Sequence, residues 1–145
     1  MIKKITLSIV LLLVLIQFIP VDRTNPKVDT TISLNADKEV MKILKKSCYD
    51  CHSYETKYSI YSKIAPLSFE VASHISKGRA ALNFSQYKKI DKEIKKARLK
   101  RAIKTINNNM MPLSSYVAFH KEAKLTKQQK EILEKFFNNE LKKLK

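Results

Sequence analysis

The chain is short of cysteine, of acid and of glycine. Only two of its 145 residues are cysteine, Cys48 and Cys51, so no framework of disulfides is available to brace a small domain. A bridge between residues three apart is itself geometrically poor. With no third cysteine, and with His74 and His120 scattered, a four-ligand zinc site lacks its usual spacing. Acidic residues number 13 against 29 Lys and Arg, for a net charge of +16. No segment reads convincingly as a strand, no internal repeat is visible, and Gly78 is the sole glycine. What remains is an all-α chain with room for one domain of about 110–120 residues.

The N-terminus is where long apolar sequence does occur. Lys3 and Lys4 precede Ile5–Ile19, which is broken only by Thr6, Ser8 and Gln17, the pattern of a targeting segment. Phe18–Asp22 offers none of the small residues a signal peptidase wants, and no nearby cysteine could accept a lipid. Residues 1–21 are therefore expected to stay as a membrane anchor, with cleavage and release to the periplasm as the alternative. As a helix Ile5–Val21 would span about 25 Å, slightly short of a hydrocarbon core of roughly 30 Å. Its lysines should remain cytoplasmic and the domain should lie outside. Asp22–Leu34, with Pro26 and several Thr, Asp and Asn, reads as an extended linker. Residues 35–145 form the functional domain.

Export also decides between partners. A charge of +16 first suggests nucleic acid, but a domain outside the cytoplasmic membrane meets none. An acidic redox partner or an anionic membrane surface is the better match.

Helix signals come in order along the chain. Asn35 is an N-cap candidate, with Asp37 and Glu39 in the first turn and Val40, Met41, Ile43 and Leu44 on the apolar face. Pro66 suits the first turn of a helix over Pro66–Ala81. Ser85 could cap a lysine-rich helix over Gln86–Asn107, ended by three asparagines. Thr126 with Gln129 makes a capping box for the last helix, Lys127–Lys145.

The first helix runs into Cys48-Tyr49-Asp50-Cys51-His52. C-x-x-C-H is the signature of c-type haem attachment. Two thiols at this spacing add to the two vinyl groups of one haem, and the adjacent histidine becomes the proximal iron ligand. A thioredoxin-like pair would want a preceding strand, and the flanks here are helical. For the sixth position Met111 is the first candidate, in a loop stiffened by Pro112 just ahead of the last helix. Met110 and His74 are the alternatives, and His120 ranks behind them. Arg79 and some lysines are candidates to neutralise the haem carboxylates, although for any single one a solvated role is the first expectation.

Together these stretches resemble small monohaem c-type cytochromes. More closely, the chain resembles the haem-binding domain family of membrane-anchored bacterial proteins, common in Bacteroidota. The stretches that carry the likeness are Ile16–Pro26, Ser47–Ser53, Ile64-Ala65-Pro66, His74, Gly78-Arg79, Leu82–Ser85 and Met111-Pro112-Leu113. The resemblance implies one covalent haem c held by Cys48, Cys51 and His52. The chain departs from it in its basicity, with lysines where relatives tend to have acids. The expected function is one-electron transfer by a cytochrome c-like domain at the outer face of the cytoplasmic membrane. The alternative is a haem-based ligand sensor or peroxidase-like enzyme whose sixth position is open or displaceable.

Overall fold

The computed structural model describes residues 1–144. Seven helices succeed one another, and among the described residues there is no strand. They are α1 (Ile2–Leu15), α2 (Lys38–Ser47), α3 (Tyr49–His52), α4 (Leu67–Ala81), α5 (Lys92–Asn107), α6 (Ser114–Phe119) and α7 (Lys127–Lys143).

Each start has a local cause. Asp37, not Asn35, caps α2: its Oδ1 accepts the Val40 N–H at 2.8 Å. Lys45 and Lys46 occupy the last turn, where the helix dipole favours cations. Pro66 stands just ahead of α4, where its missing N–H costs nothing. The capping box of α7 forms as the spacing predicts, with Thr126 and Gln129 exchanging hydrogen bonds at 3.2 and 2.9 Å.

The lysine-rich helix begins later than its sequence suggests. Residues Phe84–Lys89 form a 3-10 stretch, Ile90 is extended, and the helix starts after Asp91. Two side chains explain the shift. The Asp91 carboxylate accepts the N–H groups of Glu93 and Ile94, a better cap than a hydroxyl already in use. Ser85 Oγ is occupied by the Tyr54 N–H at 2.9 Å.

Leu44, Leu99, Leu133 and Phe137, from α2, α5 and α7, are fully buried. Around them close Leu34, Tyr49, Leu82, Phe84, Tyr87 and Leu125. The core is therefore built by α2, α5 and α7, and α3, the stretch before α2 and the connections that follow α4 and α6 close around it.

Residues 22–34 form no helix and turn at Thr30–Ile32, but they are not loose. Leu34 donates its N–H to Phe84 O at 2.8 Å, Lys88 N donates to Ile32 O at 2.8 Å, and Asn25 Nδ2 donates to Thr56 O at 2.9 Å. Leu34 is buried. A linker that joins the core this way is part of the domain.

The N-terminal helix is shorter than the apolar run. α1 has 14 residues, about 21 Å, followed by a 3-10 turn at Ile16–Phe18. Ile19 is then extended, with ψ 118°. Pro20 is the cause, because the residue before a proline is pushed out of the helical region. Among the described residues no helix is long and apolar enough to cross a membrane.

Candidate functional site

The C-x-x-C-H segment is folded as a tight turn in its own right. Cys48 leaves α2 with its N–H still bonded to Leu44 O at 2.8 Å. Its own carbonyl then accepts from Cys51 N and His52 N, at 3.2 and 2.9 Å, which winds α3. Both thiols and the imidazole thus issue from one short coil at the end of a core helix.

The sole glycine allows this coil to meet α4. A Cβ on Gly78 would lie 2.4 Å from the Cys51 carbonyl oxygen and 3.1 Å from Cys51 Cβ. Only a residue without a side chain lets the two backbones approach so closely.

His52 is oriented by the residue that ends α4. Its Nδ1 lies 2.9 Å from the carbonyl oxygen of Leu82, an atom that can only accept. Nδ1 therefore carries the proton and Nε2 keeps its lone pair. Burial pushes the imidazole pKa below its ordinary value, against the pull of the Leu82 and Gly78 carbonyls, which favours the neutral ring. Phe84, buried beside Leu82, stacks on Tyr49 at 5.3 Å and leans on the His52 ring at 6.0 Å.

Two adjoining cavities, of about 510 and 210 Å³, open beside this turn. Cys48, His52, Ala81, Arg101, Met111 and Leu113 border both, and Cys51 and His74 border the larger. Such volumes suit a large, mostly apolar ligand.

Met111 reaches the cavity because of how α5 ends. Asn109 takes a positive φ of 57°, a conformation asparagine tolerates better than most residues. The N–H groups of Met110 and Met111 then both turn back onto Thr105 O, at 2.8 and 3.2 Å. Met111 packs half-buried against the core, whereas Met110 is 59 % exposed. Met110 nonetheless touches the rim of the smaller cavity.

The other histidines differ. His74 borders the larger cavity with its Nε2 3.0 Å from Glu70 Oε1. His120 is held elsewhere, its Nε2 2.7 Å from Tyr61 Oη and its ring stacked on Tyr116 at 4.4 Å.

Arg79, one of the candidates for the haem carboxylates, is committed away from the cavity. Its guanidinium donates to Ser53 O, Asn25 Oδ1 and Thr56 Oγ1 at 2.8–3.1 Å, and it lies over the Tyr54 ring. The cations that border the cavities are Arg98, Arg101 and Lys77. Arg98 and Arg101 stand three residues apart on α5, on one face, but other basic pairs of α5 share that spacing, so the sequence does not single them out.

Sequence reasoning also missed two supports of the motif. Asp50 Oδ2 accepts the Tyr116 hydroxyl at 2.7 Å, from the unforeseen helix α6, and Asp50 Oδ1 accepts Lys57 N at 3.0 Å. The Leu82 carbonyl was silent because any residue supplies one. A motif histidine in want of an acceptor was the available signal.

Competing chemistries fare poorly. A redox dithiol needs a thiolate of low pKa, but burial pushes Cys48 up to about 12 and Cys51 up to about 11. Among the described residues no three His, Cys, Asp or Glu converge as a metal site.

A family model described as a haem-binding domain matches residues 11–139, from within α1 to within α7. The chain belongs to the haem-binding domain family. It is a haem-binding protein, and haem is its cofactor. No curated protein and no solved structure matches the chain. The residues present fit the group that the family name requires. An imidazole with a free Nε2, a thioether sulfur and two thiols border the larger cavity together with Arg101, and Arg98 borders the smaller one beside it.

Proposed function

We propose that this haem-binding domain carries one covalent haem c and works as a one-electron transfer protein at the outer face of the cytoplasmic membrane. The observation that carries the reading is the meeting of Cys48, Cys51, His52 and Met111 around one cavity, with His52 held in the tautomer that leaves Nε2 free.

In this reading Cys48 and Cys51 supply the two thioether sulfurs. His52 Nε2 would bind the iron, the ring being kept in place by the Leu82 carbonyl and the wall of Phe84. Met111 would supply a second iron ligand, since it is packed against the core and Met110 is largely exposed. Arg98 and Arg101 would take the haem carboxylates. When bound, the haem supplies an iron that changes between ferrous and ferric states, and sulfur ligation favours the reduced one. The apolar cavity wall limits water around that change of charge.

The exposed lysines along and before α5, such as Lys88, Lys89, Lys100 and Lys104, suit an acidic redox partner. Such steering weakens as salt rises. Anchoring would use residues 1–21: α1 and its 3-10 turn together reach about 27 Å, and a bilayer thins slightly to accommodate a short segment.

His74 at the cavity wall supports a second reading, a ligand sensor or peroxidase-like enzyme with a displaceable sixth ligand. One experiment separates the two. The oxidised protein should have a weak far-red sulfur–iron band that Met111→Ala removes and Met110→Ala leaves. Carbon monoxide should bind the reduced native protein slowly and the Met111→Ala variant fast. A high-spin native spectrum with fast binding would overturn electron transfer in favour of the second reading.

A further inference from the structure

Most of the large apolar side chains left exposed beyond the N-terminal segment gather in one place. Six such residues beyond residue 19 are exposed among the described residues: Ile60, Ile64, Leu67, Ile94, Met110 and Phe119. Four of them, Ile60, Ile64, Leu67 and Phe119, belong to a single neighbourhood. Ile60 and Ile64 bracket the 3-10 turn Ile60–Lys63, and Tyr61 in that turn stacks on Phe119 at 4.6 Å. Their exposures run from 44 % at Leu67 to 79 % at Ile60. A cluster of this kind on a small domain marks a contact surface.

The N-terminal segment ends at the same spot. The Gln17 side chain clasps one backbone position with both ends of its amide: Nε2 donates to Ala65 O at 3.1 Å and Oε1 accepts Ala65 N at 3.0 Å. Arg23 continues the seam, donating from Nε to Ser62 O at 3.1 Å. Phe18 and Ile19, 79 % and 52 % exposed, therefore emerge beside Ile64 and Leu67. No residue of α1 is buried by the rest of the chain. A helix with apolar residues on every side wants lipid around it.

We propose that the domain rests directly on a phospholipid bilayer through Ile60, Ile64, Leu67 and Phe119, seated where α1 enters it. The proposal rests on the membrane-anchored reading above and adds to it a fixed orientation of the domain. Two further features favour lipid over a protein partner. A segment of about 27 Å whose end is clasped to the domain leaves no slack to hold the patch clear of the surface. Lys57 and Lys63 stand exposed at the edge of the patch, where anionic headgroups would meet them. The haem cavity, bordered by residues of α3, α4, α5 and the Met-Pro loop, is then carried at a set height above the membrane instead of on a flexible tether.

The chain has no tryptophan, so a single introduced one is a unique reporter. The full haem-loaded chain would be placed in vesicles of phosphatidylcholine and phosphatidylglycerol, with and without brominated acyl chains. Tryptophan would stand in turn at Leu11→Trp in α1, Ile60→Trp and Ile64→Trp in the patch, and Ile94→Trp on α5. An unchanged haem absorption spectrum in each variant certifies folding.

Because haem itself quenches, each reading is the ratio of emission in brominated to unbrominated vesicles. The expected result is a marked loss at Leu11→Trp, Ile60→Trp and Ile64→Trp, and none at Ile94→Trp. Loss at Leu11→Trp alone would overturn the docking and leave the anchor standing. No loss at Leu11→Trp would overturn the anchor itself. Patch emission that shifts with protein density and ignores bromine would assign the surface to a second copy, which also overturns the proposal.

Discussion

Gly78 and Cys51 meet backbone to backbone, so closely that one methyl group on Gly78 would lie 2.4 Å from the Cys51 carbonyl oxygen. The atom in the way belongs to the main chain and cannot rotate aside. The contact joins α4 to the turn that carries both thiols and His52. It is also α4 that delivers the Leu82 carbonyl to His52, so the position of one helix sets the tautomer of the motif histidine.

Gly78→Ala is accordingly expected to be harmful even though alanine is the better helix former. Overpacking at such a contact costs about 1–3 kcal/mol. Denaturant melts of the haem-loaded variant should show that loss, together with reduced haem incorporation. A variant as stable as the native protein would mean that α4 can shift away from Cys51 freely.

Arg79→Ala should lower stability without removing haem. The guanidinium ties Asn25, Ser53 and Thr56 together, and hydrogen bonds to a charged group contribute more than neutral ones, so a loss of about 2 kcal/mol is expected. The visible spectrum should be unchanged, because Arg79 does not border the cavity. Loss of haem with stability intact would make Arg79 a partner of the haem carboxylates instead.

Arg98→Gln and Arg101→Gln should act on the redox balance instead. Removing a cation from the wall of the haem cavity favours the oxidised form, so the reduction potential should fall. For one electron, about 59 mV corresponds to a tenfold shift, and a fall of tens of millivolts is expected, smaller at high salt. Potentials unchanged in both single variants and in the pair would place the haem carboxylates elsewhere.

Tyr87 and Tyr116 give the fold an alkaline limit. Burial first, and then the carboxylates of Glu140 and Asp50, push both phenols above the ordinary tyrosine range. The folded state therefore keeps two protons that the unfolded chain sheds near pH 10. Above that pH the folded state binds more protons, so stability falls as pH rises. Tyr116→Phe and Tyr87→Phe should flatten this decline, as melts between pH 8 and 11 would reveal. An equal slope in the variants would contradict these hydrogen-bonded phenols as its source.

Much of this was legible in the sequence because it is local. The capping box at Thr126, the stop at Asn107–Asn109 and the thiol spacing are read from neighbours along the chain. The start of α5 was misread because Ser85 had a distant use, its hydroxyl receiving the Tyr54 N–H. The use of Arg79 was hidden for the same reason: a guanidinium announces a charge but not its partners. The short helix α6 and the link from Tyr116 to Asp50 span 66 residues, and no periodicity announces them. The close approach at Gly78 did leave a trace, as the one glycine in the chain, but not its meaning.

The most direct test asks whether haem is part of the chain. The protein would be produced alongside c-type haem maturation machinery, denatured, extracted with acidified acetone and weighed intact, beside Cys48→Ser, Cys51→Ser and the double variant. Covalent attachment predicts that the native chain keeps its haem through extraction and carries the mass of one haem. Each single variant should keep haem through one thioether at reduced yield, and the double variant should release it. A native chain that gives up all its haem to acetone and weighs as bare polypeptide would contradict attachment through Cys48 and Cys51.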